Sequence, residues 1–163
     1  MNIENRLIAT EDQGLISQYR DDQGLVEKYK HPCGTWSNDD ATIKWAGSMI
    51  IFDKLAKKGM RVVDLGAGDG PVAHMISDRG YDIVGVDIKP WDFPYQSLAV
   101  MVTKDAIEFV REYEDNSVDI FMDGCAVTHF NDSGDDETPN RGWRSIFEAV
   151  KRVMKPGGYF ICF

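Results

Sequence analysis

The stretch MRVVDLGAGDGPVAHMISDRG, residues 60–80, constrains the fold more than any other. An apolar, β-branched run reaches an acid, Asp64, and passes into three glycines at alternate positions, Gly66, Gly68 and Gly70. Residues 60–65 read as a buried strand, because the run is too apolar to leave one face in water. Glycines at 66, 68 and 70 allow a sharp turn. Pro71 suits the first position of a helix and Gly80 its end, so 71–80 predicts a short helix.

The same alternation continues. YDIVGVDI (81–88) and SLAVMV (97–102) read as the second and third strands, and DAIEFVREY (105–113) as a helix. SVDIFMD (117–123) is a fourth strand. In 141–154, Trp143, Ile146, Phe147, Val150 and Met154 mark one face of an amphipathic helix. KPGG then turns the chain into YFICF, a fifth strand. Strands alternating with helices predict an α/β fold: a parallel sheet with helices on both faces. Only KPWDFPYQ (89–96) separates the second and third strands. Two prolines in so short a segment leave no room for a full crossover helix. Trp91, Phe93 and Tyr95 are expected to cover that side of the sheet instead.

Residues 1–58 are mixed and polar, and read as an N-terminal helical segment covering the site, in the same domain as a core over 59–163. EDQGLISQYR (11–20) and DDQGLVEKYK (21–30) form a small repeat, either two short helices or a cover. From Asp39 or Asp40 to Lys58, Trp45, Met49, Phe52 and Ala56 share a helical face.

The 163 residues carry 18 basic and 27 acidic side chains, a net charge of −9. That balance repels phosphate backbones and predicts no nucleic-acid partner. No apolar run reaches the length of a membrane span, and the N-terminus lacks the pattern of a signal peptide. Cys33, Cys125 and Cys162 form neither a disulfide framework nor a metal ladder, which fits a cytoplasmic chain. The acidic loop 131–140 lacks the ligand spacing of a calcium site, so no metal is expected.

The acids around the glycine turn narrow the ligand. The spacing is G-x-G-x-G, with Pro71 where a dinucleotide fingerprint would place its third glycine. Asp87 ends the second strand 21 residues beyond Gly66, where a carboxylate accepts both hydroxyls of a ribose. Asp105 follows the third strand at the same edge, and Asp64 lies at the mouth of the first. Three acids, with no lysine in the turn, suit a ligand with a ribose and a positive charge, and would repel a triphosphate.

VVDLGAGDGP, IVGVDI, TKDAIEFV, SVDIFMDGCAVTHF and VKRVMKPGGYFICF occur in an order and spacing that resemble class I, Rossmann-like, S-adenosylmethionine-dependent methyltransferases, over about residues 60–163. The resemblance implies a strand order 3-2-1-4-5. It implies that Gly66, Ala67 and Gly68 accommodate the methionine portion of the cofactor and that Asp64 holds its amino end. Asp87 would take the ribose hydroxyls, with Ile88 beside the adenine. Asp105 would accept the adenine amino group, though an acid there equally caps a helix. The Ala106 N–H would face a ring nitrogen.

The expected reaction is direct displacement onto a small-molecule acceptor, leaving S-adenosylhomocysteine; the alternative is a non-catalytic S-adenosylmethionine-binding or regulatory subunit. Asp123 and His129 are the candidate bases, His129 serving equally well to shape a loop. The family usually continues past the fifth strand with a helix and an antiparallel strand pair. This sequence stops at Phe163, so it resembles a truncated core without the strand 6/7 hairpin. Residues 158–163 are then expected to present a bare apolar edge, open to a homodimer or a partner chain.

Overall fold

The computed structural model describes residues 6–9, 39–92, 98–123 and 143–162. Its elements in chain order are β1 (Arg6–Ala9), α1 (Asp39–Leu55), β2 (Arg61–Leu65), α2 (Pro71–Asp78), β3 (Asp82–Asp87), β4 (Val100–Thr103), α3 (Ala106–Arg111), β5 (Val118–Asp123), α4 (Trp143–Val153) and β6 (Met154–Cys162). The strands form one six-stranded sheet in the order β1-β6-β5-β2-β3-β4, and every pairing is parallel.

Alternate residues of each strand feed two separate cores, as the period-two geometry of a strand requires. Val62, Ile83, Ile120, Met122 and Ile161 meet Met49 and Phe52 of α1 and Ile76 of α2 on one face. Val63, Leu65, Val86, Phe121 and Phe160 meet Val110 of α3 and Ile146 of α4 on the other. Val62 and Val63 are both fully buried, yet they belong to opposite layers. The continuous apolar run in β2 follows from this.

Leaving out β1, the order read from the far edge is the expected 3-2-1-4-5. The sixth strand corrects the expectation of a bare edge. Arg6, Leu7, Ile8 and Ala9 pair in parallel register with Tyr159, Phe160, Ile161 and Cys162. The backbone groups of β6 that would have recruited a second copy or another chain are occupied by the chain's own N-terminal segment. Residues 6–9 are therefore strand, within a segment expected to be helical. The ten-residue repeat lies outside the described residues.

The last strand also begins earlier than expected. Val118 pairs with Met154 and Ile120 with Tyr159, so the short span from Val118 to Ile120 stands opposite the longer span from Met154 to Tyr159 and KPGG forms a bulge inside β6. No helix occurs between β3 and β4 among the described residues. Trp91, expected to cover that side, is half exposed, with the Lys89 ammonium 5.7 Å from its ring centroid. Phe93 and Tyr95 lie outside the described residues.

Candidate functional site

Because all strands run the same way, the C-terminal ends of β2, β3, β4 and β5 share one edge of the sheet. That edge is where open α/β sheets bind ligands. β2 delivers Asp64 there, β3 delivers Asp87, and β5 delivers Asp123.

The turn between β2 and α2 is built on glycine conformations. Gly66, Gly68 and Gly70 have φ of 67°, 57° and 82°, a region that side chains avoid. Two hydrogen bonds fasten the turn to β3. The Ala67 N–H donates to the Val86 carbonyl at 3.0 Å, and the Gly68 N–H donates to Asp87 Oδ2 at 3.0 Å. The other Asp87 oxygen, Oδ1, accepts from the Lys89 N–H at 2.9 Å. An ionised carboxylate has about four acceptor positions, so Asp87 keeps capacity for two further donors. Ile88, next in sequence, is 65% exposed and offers an apolar surface beside that capacity.

Asp105 caps α3. Its Oδ1 accepts from the Ile107 N–H at 3.0 Å and the Glu108 N–H at 3.1 Å. Sequence reasoning left this carboxylate between a helix cap and an adenine acceptor. The cap uses one oxygen. The Lys104 N–H donates to the Asp87 carbonyl at 2.8 Å, which ties the start of α3 to the end of β3. Ala106 is buried as the first residue of that helix.

Asp64 is the electrostatic extreme of the site. It is 2% exposed and its carboxyl is pushed up to about 8, first by desolvation and then by the charges of Asp123 and Asp87. Asp123 is equally buried. Near neutral pH Asp64 holds its proton unless a cation approaches, since a positive charge favours the ionised form. A ligand with a ribose, an apolar ring and a cationic amino end therefore fits these residues: acceptor capacity on Asp87, an exposed apolar face on Ile88, and a buried acid at Asp64.

The structure brings Gly66, Ala67, Gly68, Asp87 and Ile88 together, joins Asp105 and Ala106 to them through Lys104, and couples Asp64 to Asp123. His129 lies outside the described residues. The Val86 carbonyl and the Lys104 N–H were not foreseen, since backbone groups leave no mark on a sequence. Among the described residues no group of metal-ligating side chains occurs, and no helix is long and apolar enough to cross a membrane.

Residues 63–162 match a protein family described as a methyltransferase domain. The chain is 28% identical over 117 residues to ribosomal RNA large subunit methyltransferase E of Desulfatibacillum aliphaticivorans, covering 67% of this chain and 56% of that protein. It is 30% identical over 138 residues to cyclopropane-fatty-acyl-phospholipid synthase of Escherichia coli strain K12, covering 81% of this chain and 34% of that protein. Among solved structures, a SAM-dependent methyltransferase from Archaeoglobus fulgidus superposes with a TM-score of 0.53 at 25% identity, covering 66% of this chain and 45% of that one. The chain thus spans between about a third and just over half of the curated relatives named here. The first of them overturns the expectation of a small-molecule acceptor with nucleic acid excluded. Net charge is an average over the whole surface, so it does not by itself exclude a nucleic-acid acceptor.

Proposed function

Because the chain belongs to the class I S-adenosylmethionine-dependent methyltransferases, we propose that it transfers the methyl group of S-adenosylmethionine to an acceptor held at the C-terminal edge of its sheet. The observation that carries the reading is Asp64, a buried acid facing two further carboxylates beside a glycine turn. Such an acid is stabilised by a cationic ligand group and destabilised by a phosphate.

The sulfonium of the bound cofactor supplies an activated methyl. The residues of the chain bind and align. Asp87 accepts the ribose hydroxyls with the capacity left by Gly68 and Lys89. Gly66, Ala67 and Gly68 let the backbone approach the methionine portion, whose amino end Asp64 receives. Ile88 lies against the adenine. Asp105 accepts the adenine amino group through the oxygen that the helix cap leaves, and the Ala106 N–H meets a ring nitrogen. Asp123, at the end of β5, and His129 are the candidate bases, and either would take a proton from a nucleophile that carries one. Alignment of nucleophile, methyl and sulfur supplies much of the acceleration in a direct displacement.

For the acceptor, kinship with a ribosomal RNA methyltransferase supports RNA, which would place the reaction in the cytoplasm. The likeness to a fatty-acyl-phospholipid synthase, spread over 81% of this chain, favours a lipid as the second reading. Methyl-labelled S-adenosylmethionine incubated with total RNA, and separately with phospholipid vesicles, tests both. Label in RNA is the expected result, and label in lipid alone selects the second reading. Binding of S-adenosylhomocysteine without label in either would remove both acceptors. Failure to bind S-adenosylhomocysteine would remove the cofactor reading itself.

A further inference from the structure

Gly85 is buried in the middle of β3, in register with Asp64 on one side and Met101 on the other. A glycine in a strand interior weakens the strand and marks a close approach by something else. A Cβ built on Gly85 would meet Met101 Sδ at 2.6 Å, Met101 Cε at 3.0 Å and the Ala67 Cβ at 3.0 Å. These contacts differ in kind. Met101 is flexible and can turn aside. The Ala67 Cβ is fixed to the backbone of the glycine turn, and the Ala67 N–H is bonded to Val86, the residue after Gly85. Ala67 can yield only if the turn yields.

Three successive residues of β3 therefore locate the turn. Gly85 does so by lacking a side chain, Val86 through its carbonyl, and Asp87 through its carboxylate. We propose that Gly85 is a positioning residue for the cofactor: the missing side chain sets how closely the glycine turn seats on β3, and so lets the turn and Asp87 address one ligand together. The proposal rests on the cofactor reading above and adds a residue that acts through Ala67.

The test is a set of S-adenosylhomocysteine titrations by calorimetry, with thermal unfolding followed on each variant. Gly85→Ala is expected to bind about tenfold more weakly, within the range of couplings between residues in contact. In the Ala67→Gly background the same substitution should cost little, because the contact with the turn is gone. In the Met101→Ala background the loss should persist, because only the flexible contact has been removed. This last background also serves if Gly85→Ala alone fails to fold. Unchanged affinity in Gly85→Ala would overturn the proposal. So would a loss cured by Met101→Ala and not by Ala67→Gly, which would make Gly85 a packing residue only. A wild-type chain that fails to bind would instead overturn the cofactor reading.

Discussion

The Gly68 N–H donates to Asp87 Oδ2 across 3.0 Å, so the residue read as the ribose acceptor is also a fastener of the glycine turn. Binding site and scaffold share one carboxylate. The ligand would meet a turn already held in place, which lowers the ordering cost of binding.

Asp87→Ala should therefore cost both affinity and stability. It removes the acceptor for the Gly68 and Lys89 N–H groups, bonds to a charged acceptor that are each worth about 1.5–3 kcal/mol where buried and less here, because Asp87 is only part-buried. Calorimetry with S-adenosylhomocysteine should show a loss of at least roughly tenfold, the equivalent of about 1.4 kcal/mol. Affinity equal to wild type would remove the ribose assignment, whatever happens to the melting temperature.

Asp64 makes the empty protein sensitive to pH. Its carboxyl titrates at about 8 in the folded chain against an ordinary value of 3.8. The folded state binds this proton more tightly, so its contribution to stability is complete below the ordinary value and is lost as pH rises through about 8. Asp64→Asn has no proton to lose. Urea unfolding at several pH values from mildly acid to neutral should show the variant gaining on wild type, by up to about 1.4 kcal/mol per unit. Binding a cationic amino end should expel the proton from wild type and not from the variant. Calorimetry in two buffers of different ionisation enthalpy reads that release. Parallel unfolding curves would place Asp64 in the ordinary carboxylate range.

Asp105 carries two roles that a pair of substitutions separates. Asp105→Ala removes the cap of α3 and should cost about 1 kcal/mol of stability. Asp105→Asn keeps an oxygen for the Ile107 and Glu108 N–H groups, so melting should stay close to wild type. With its oxygen on the cap, the amide turns a donor toward an adenine amino group, itself a donor, so cofactor affinity should fall. If Asp105→Asn binds as tightly as wild type, the residue is a cap alone.

The strands β2 to β6 and the helices among them were legible because each alternates sharply between apolar runs and turn residues. The glycine turn and Asp87 were legible for a related reason, since their chemistry depends on residue type. β1 was not. Arg6–Ala9 is too short to show a period, and its strand state comes from pairing with β6, more than a hundred residues away in sequence. The bulge in β6 was hidden similarly, because KPGG reads as a turn whether it precedes a strand or interrupts one. Gly85 did carry a signal, a lone glycine between β-branched neighbours, but its partner Ala67 becomes visible only once the turn folds back.

β1 yields the last prediction. Its four residues close the edge of β6, and the register from Arg6↔Tyr159 to Ala9↔Cys162 leaves no gap along the end of that strand. Deleting residues 1–9 would uncover a row of unpaired backbone groups flanked by Phe160 and Ile161, which are buried in the two cores. An uncovered edge of this kind pairs with other edges. The shortened chain should self-associate in light scattering at concentrations where the full chain does not, and the growth should rise with concentration. Restoring residues 1–9 with proline at the adjacent positions 7 and 8 should not rescue it, because successive residues of an edge strand turn their N–H groups to opposite sides and one of the two then supplies no N–H to the ladder. A shortened chain that scatters and melts like the full one would show that β1 contributes nothing to holding that edge.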